Sequence, residues 1–266
     1  MSRRIRALAV IVTFVISLAA VQPAGAIQYG EPDNGAHPYV GGLIFQVNGN
    51  QFVGCSGTMI GPTTFLTAAH CFPDDVFQLI GVTFDDAFVP GESTVIPLDN
   101  STFIGNPAYD GTPYTDVAVV LLPYDPGVGY VSLPTLGYLE TLAPRAQPGN
   151  QSRSLTAVGY GTTGLNRGAG GPPQFVYPDV RMRAENRIIG VGSAVHAGYL
   201  VQTTASPGNG GGTCYGDSGG PFLEKSTSVV YVVAITITGF NQNCGGADLN
   251  LRTDISSVQD FIWQYI

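Results

Sequence analysis

Cys214-Tyr215-Gly216-Asp217-Ser218-Gly219-Gly220-Pro221 sets one hydroxyl among residues that bend the backbone and leave its amides free. A serine hydroxyl is a poor nucleophile at neutral pH, so chemistry at Ser218 needs an adjacent base and a site for the oxyanion its attack creates. Gly216 can take a backbone conformation closed to residues with a Cβ, which lets its N–H and that of Ser218 converge on one point. Taken alone, the same composition also suits a plain surface turn.

Two further stretches decide between these readings. Thr67-Ala68-Ala69-His70-Cys71 offers an imidazole, whose ordinary pKa lies close to neutral and suits proton transfer. Asp116-Val117-Ala118-Val119-Val120-Leu121 sets an acid at the start of an apolar run without alternation, the pattern of a strand covered on both faces. The other two histidines, His37 and His196, have no such context and read as surface or packing residues.

Together the three stretches resemble the chymotrypsin/trypsin family of serine proteases. The chain order His70, Asp116, Ser218 separates that family from subtilisins and α/β-hydrolases, which build similar geometry in other orders. Gly57-Thr58-Met59-Ile60 and Ala157-Val158-Gly159-Tyr160-Gly161-Thr162 are weaker matches, and the resemblance runs from about residue 27 to the end. It implies an all-β fold of two antiparallel β-barrels with the active site in the cleft between them, and a C-terminal α-helix. It also implies roles: His70 as general base, Asp116 as its orienting partner, Ser218 as nucleophile, and the N–H groups of Gly216 and Ser218 as the oxyanion hole. The cysteines would pair as Cys55 with Cys71 and Cys214 with Cys244. An even cysteine count in an exported chain agrees with disulfides.

Residues 1–26 carry Arg3, Arg4 and Arg6, then an uncharged apolar run from Ala7 to Val21, then Ala24-Gly25-Ala26. That is the layout of a secretory signal peptide with a small-residue cleavage site. Its removal takes three of the eleven basic side chains and none of the nineteen acidic ones, moving the net charge from -8 to -11. The new start would be Ile27, and the resemblance pairs its ammonium with Asp217. The sequence therefore predicts that signal removal itself activates the enzyme and that the product is extracellular.

Only Lys225 is a lysine, and no basic cluster could track phosphates, which argues against nucleic acid or anionic membrane partners. The Gly, Pro and β-branched content suits one unit of strands and turns over residues 27–266. The expected boundaries are a first barrel over about 27–122, a connection over about 123–153, a second barrel over about 154–252 and a helix over about 255–266. Ser257-Val258-Gln259-Asp260 reads as the helix's capping box.

The expected activity is endopeptidase cleavage through an acyl-enzyme on Ser218. Gly212, Thr213, Gly239 and Asp248 are the expected substrate-binding residues. Gly212 stands where trypsin-like members carry an aspartate, which counts against direct trypsin-like selection. Gly239 and Gly245-Gly246 suggest open pocket walls, so an apolar or aromatic P1 side chain is expected, with Asp248 as a route to basic ones and small side chains as the remaining alternative. The expected partners are polypeptide substrates and protein protease inhibitors. No cofactor or metal is expected, nor membrane association after signal removal, and the chain should be a monomer. A non-catalytic binding protein of the same fold and an esterase-like serine hydrolase stay open as alternatives.

Overall fold

The computed structural model describes residues 27–142, 154–163, 165–166, 174–193, 195–206, 211–225, 228–239 and 242–266. The expected signal peptide and the last part of the expected connection, 143–153, lie outside the described residues.

The first half contributes β1 (Glu31–Pro32), β2 (Val40–Val47), β3 (Asn50–Met59), β4 (Thr64–Thr67), β5 (Gln78–Thr83), β6 (Ile96–Pro97), β7 (Phe103–Gly105) and β8 (Ala118–Leu121). All but β1 form one antiparallel barrel-like sheet in the order β6-β5-β2-β3-β4-β8-β7. The β2–β3 hairpin turns on Asn48-Gly49, both with positive φ, the residue pair that a two-residue turn between twisted strands favours.

The second half contributes β9 (Ser154–Gly159), a short pair β10 (Leu165–Asn166) and β11 (Gln174–Phe175), then β12 (Met182–Gly190), β13 (Leu200–Ala205), β14 (Pro221–Glu224), β15 (Tyr231–Gly239) and β16 (Gly246–Arg252). The order β12-β13-β16-β15-β14-β9 closes on itself because β9 also pairs with β12. The fold is thus two antiparallel barrel-like sheets, as the sequence predicts.

The elements at the seams differ from expectation. The first barrel was expected to begin at about 27, yet β1 pairs with β12 of the second sheet, and Gln28 exchanges backbone hydrogen bonds of 2.9 and 3.0 Å with Gly212. Within the expected connection a short helix, α1 (Tyr138–Leu142), is held from a distance: Asp254 accepts from the Leu139 N–H at 2.7 Å, and its carbonyl accepts from Gly137 at 2.9 Å. The C-terminal helix, α2, is Ser256–Ile262, with Ile255 at its N-cap and no side-chain cap, so Ser257 does not form a capping box. Packing holds this helix instead. Val258, Phe261 and Ile262 are buried in the core that also contains Phe65 and Val120, and Gln259 donates to the carbonyls of Pro134 (2.7 Å) and Thr253 (2.9 Å).

A buried ionic cluster joins the chain's start to both sheets. Arg181, only 2% exposed, donates to Asp33 at 3.0 Å, to the carbonyls of Val40 (3.0 Å) and Phe84 (2.8 Å), and pairs with Asp86. His37 is fully buried rather than at the surface. Its Nδ1 bonds Asp33 and its Nε2 meets Lys225.

Candidate active site

Strand β4 ends in a 3-10 turn, Ala69–Cys71, that carries His70 to the edge of the first sheet. The disulfide Cys55–Cys71 ties that turn to β3, and Cys214–Cys244 ties the Ser218 loop to the residues entering β16; both are the expected pairs. Strand β8 runs antiparallel to β4 with Ala118 opposite Thr67, so Asp116, two residues earlier, rises beside His70.

Both carboxylate oxygens of Asp116 serve His70. Oδ1 accepts from the His70 backbone N–H at 2.8 Å, and Oδ2 bonds the ring Nδ1 at 2.7 Å. This fixes ring orientation and tautomer together: Nδ1 carries the proton that Asp116 accepts, and Nε2 keeps its lone pair. The carboxylate is 6% exposed and the imidazole 32%, so the ionic end lies inside and the reactive end faces the cleft.

Ser218 sits in the turn before β14, and the loop around it is packed too tightly for side chains. A Cβ on Gly219, at φ +80°, would lie 2.1 Å from Thr67 Oγ1, and one on Gly216, at φ +92°, would lie 2.9 Å from Gly161 Cα. The Ser218 carbonyl accepts from Ser56 N at 2.8 Å and the Gly219 N–H donates to Thr236 at 2.8 Å, which clamp the turn from both sheets. Among the described residues, neither the Gly216 N–H nor the Ser218 N–H donates to a protein acceptor.

A cavity of about 490 Å³ opens beside this loop. His70 and Ser218 line it, with Thr213, Tyr215, Ile237, Thr238 and Gly239 among the other lining residues. Of the four residues expected to meet substrate, Thr213 and Gly239 are on the wall. Gly212 and Asp248 are buried behind it. Asp248 Oδ2 accepts from Thr213 N (2.8 Å) and Thr213 Oγ1 (2.9 Å), while its Oδ1 has no partner among the described residues. Burial pushes this carboxyl up to about 7, against the pull of the Thr213 hydrogen bonds.

Asp217 is fully buried and accepts from Gly161 N (2.8 Å) and Cys214 N (2.9 Å). Burial pushes it up to about 7, the two backbone donors oppose that, and nearby Asp248 adds to it. In the full chain the nitrogen of Ile27 is a peptide nitrogen, and Asp217 has no ion pair among the described residues. Ile27 itself is fully buried, packed in a core with Leu155 and Ala157.

Ser56, absent from the expected site, makes two hydrogen bonds to the Ser218 loop. Its N–H bonds the Ser218 carbonyl, and its hydroxyl donates to the Gly216 carbonyl at 2.9 Å. Only its place after Cys55 could have drawn notice.

Comparison with known proteins gives one consistent picture. The family model described as Trypsin matches residues 27–262. The chain is 24% identical over 225 residues to CLIP domain-containing serine protease C9 of Anopheles gambiae, covering 78% of this chain and 58% of that protein. It is 27% identical over 205 residues to an uncharacterized peptidase of Corynebacterium glutamicum strain R, covering 77% and 61%. Against serine protease 1 of Drosophila melanogaster it is 27% identical over 240 residues, covering 90% and 84%. The chain thus spans less than two thirds of the length of some of these relatives. A solved collagenase, HL collagenase, shares the fold with a TM-score of 0.64 at 20% identity, over 90% of this chain and 97% of that one.

Proposed function

The chain belongs to the trypsin family of serine proteases, and from that membership we propose that it is a secreted endopeptidase that cleaves peptide bonds through an acyl-enzyme on Ser218. The observation that carries this reading is the commitment of both Asp116 oxygens to His70, which lines the same cavity as Ser218.

In this mechanism the Ser218 Oγ attacks the scissile carbonyl carbon while His70 Nε2 takes its proton. The carbonyl electron pair moves onto oxygen, facing the N–H groups of Gly216 and Ser218. As the C–N bond breaks, the imidazolium returns the proton to the departing amine, leaving an ester on Ser218. Water then repeats the sequence, with His70 as base, and releases the acid. Asp116 stabilises the imidazolium in both halves.

The cavity wall, with Ile237, Thr238 and Gly239, supports an apolar or aromatic P1 side chain. Asp248 behind Thr213 adds a second capacity, because a carboxylate there attracts a cationic P1 group whenever it is ionised. Polypeptides are the substrates. Protein inhibitors filling the same cleft, a monomeric state and export out of the cell belong to the same reading. Among the described residues no helix is long and apolar enough to cross a membrane.

Activation by removal of residues 1–26 is supported by the seat of Ile27 and by the buried carboxylate of Asp217, which has no cation beside it among the described residues. N-terminal sequencing of the active secreted form should begin at Ile27; any other start removes this part of the proposal.

Turnover of peptide amides with Phe, Leu, Ala or Arg at P1, beside a simple ester, tests the function. Wild type should cleave peptides with Phe or Leu preferred, and Ser218→Ala should reduce this by at least about a thousandfold. Ester cleavage without peptide cleavage would make it an esterase. No turnover of either would leave a binding protein.

A further inference from the structure

We propose that Ser56 is a positioning residue for the oxyanion-binding loop, holding the peptide planes on both sides of the Ser218 N–H. The proposal rests on the endopeptidase reading above and adds a residue to it.

Ser56 lies on β3 of the first sheet and is fully buried, paired across the β2–β3 ladder with Gly42. All of its polar groups outside that ladder engage the site or its neighbours. The backbone N–H donates to the Ser218 carbonyl at 2.8 Å. The hydroxyl donates to the Gly216 carbonyl at 2.9 Å and accepts from the Tyr160 N–H at 2.9 Å. The carbonyl accepts from Thr67 Oγ1, also at 2.8 Å, three residues before His70. One serine of the first sheet therefore grips two carbonyls of the catalytic turn in the second.

The consequence follows from which atoms share a peptide plane. The Gly216 carbonyl belongs to the plane joining 216 to 217, and the Ser218 carbonyl to the plane joining 218 to 219. Between them stands the plane that carries the Ser218 N–H, itself held because the Asp217 carbonyl accepts from Gly220 at 2.8 Å. Gly216 has no side chain to restrain its torsions, and its φ of +92° is one that glycine alone adopts freely. In the plane joining 216 to 217 the Asp217 N–H donates to the Cys214 carbonyl at 3.1 Å, and the Ser56 hydroxyl adds a second bond at the plane's other end, on the Gly216 carbonyl. The plane that carries the Gly216 N–H is held in turn by the Thr162 N–H on the Tyr215 carbonyl at 2.7 Å, so the Ser56 bond limits rotation at the Gly216 joint between the two planes. Oxyanion stabilisation depends on donors fixed before charge develops, so a looser loop lowers turnover without weakening ground-state binding.

Removing the hydroxyl tests this. Ser56→Ala should lower kcat by roughly ten- to a hundredfold, less than the 10²–10³ expected for deleting a donor outright, with KM within about twofold of wild type. A peptide aldehyde, whose adduct oxygen occupies the oxyanion site, should bind more weakly by the same factor as the kcat loss. Ser56→Gly, which keeps the backbone donor, should show the same split and serves if the alanine variant does not fold. The proposal is overturned if a folded variant keeps wild-type kcat, if the loss appears in KM alone, or if aldehyde affinity is unchanged. Absence of turnover in wild type would instead refute the endopeptidase reading and leave the loop geometry untouched.

Discussion

Asp116 and Asp248 are both buried carboxylates at this cleft, and their neighbours give them opposite behaviour. Asp116 has each oxygen on a donor of His70, so replacing it with Asn sets an N–H₂ group where an acceptor is needed and favours the wrong imidazole tautomer. Asp116→Asn should lower kcat/KM by about a hundredfold or more near neutral pH, measured on one peptide substrate. Asp248 has one oxygen on Thr213 and one without a partner among the described residues, and burial carries it up to about 7. Below that pH it is neutral and the pocket suits an apolar group; above it the pocket gains a negative charge. The ratio of kcat/KM for Arg over Phe substrates should therefore rise several-fold from pH 6 to 8.5, a ratio in which pH effects common to both substrates cancel. It should stay flat in Asp248→Asn, and a flat ratio in wild type would take Asp248 out of P1 recognition. The triad candidates were legible because three reactive residue types each sit in a distinctive local motif. Ser56 was not, since a serine after a cysteine carries no signal until β3 is placed against the catalytic turn. Asp248 could be suspected but not placed, because its position depends on the β13–β16 and β15–β16 registers, which set it opposite Thr203 and Gly239.

Strands were the easier elements to read, because an apolar run without alternation such as 117–121 marks a strand covered on both faces. The seams were harder, because distant partners decide them. Helix α1 depends on Asp254, more than a hundred residues away, and β1 depends on β12. The cluster of Asp33, His37, Arg181 and Asp86 fastens β1 and β12 to the first sheet, and nothing local announces it. Burial works against the Asp33 carboxylate, but hydrogen bonds from His37 and the charge of Arg181 prevail and hold it at about 2. Its folded value is below the ordinary unfolded value of about 3.9, so its contribution to stability is present above about pH 4 and lost as pH falls toward 2. Thermal melts of wild type should decline over that window. Arg181→Ala should cost about 3–5 kcal/mol at neutral pH by leaving Asp33 buried without its cation, and a melting temperature within a degree of wild type would contradict the cluster's role. Opening the Cys55–Cys71 disulfide, which spans 16 residues, should cost about 3 kcal/mol on a loop-entropy estimate.

At the scale of the whole molecule, two sheets from opposite halves of the chain meet at one loop, and the mature N-terminus is proposed to complete it. With Ile27 still in a peptide bond, Asp217 titrates at about 7, above its unfolded value, so its effect has the opposite sign from that of Asp33. The contribution of Asp217 to stability is greatest below about pH 4 and falls as pH rises toward 7, by a few kcal/mol. An ammonium beside Asp217 should remove that decline. Melts of Ser218→Ala protein at pH 4.5 and 7.5, with and without residues 1–26, should show the larger drop in the uncut form; equal drops would detach Asp217 from activation. The two-barrel plan was legible from motif order, but the closure of the second sheet was not, because it depends on β9 pairing with both β12 and β14. The central claim, an activated serine at the junction, is tested most directly by treating the expressed protein with a fluorophosphonate and weighing the intact product beside a Ser218→Ala control. One adduct on a chain that begins at Ile27, absent from the control, is the predicted result. A correctly trimmed chain that takes no adduct would contradict it.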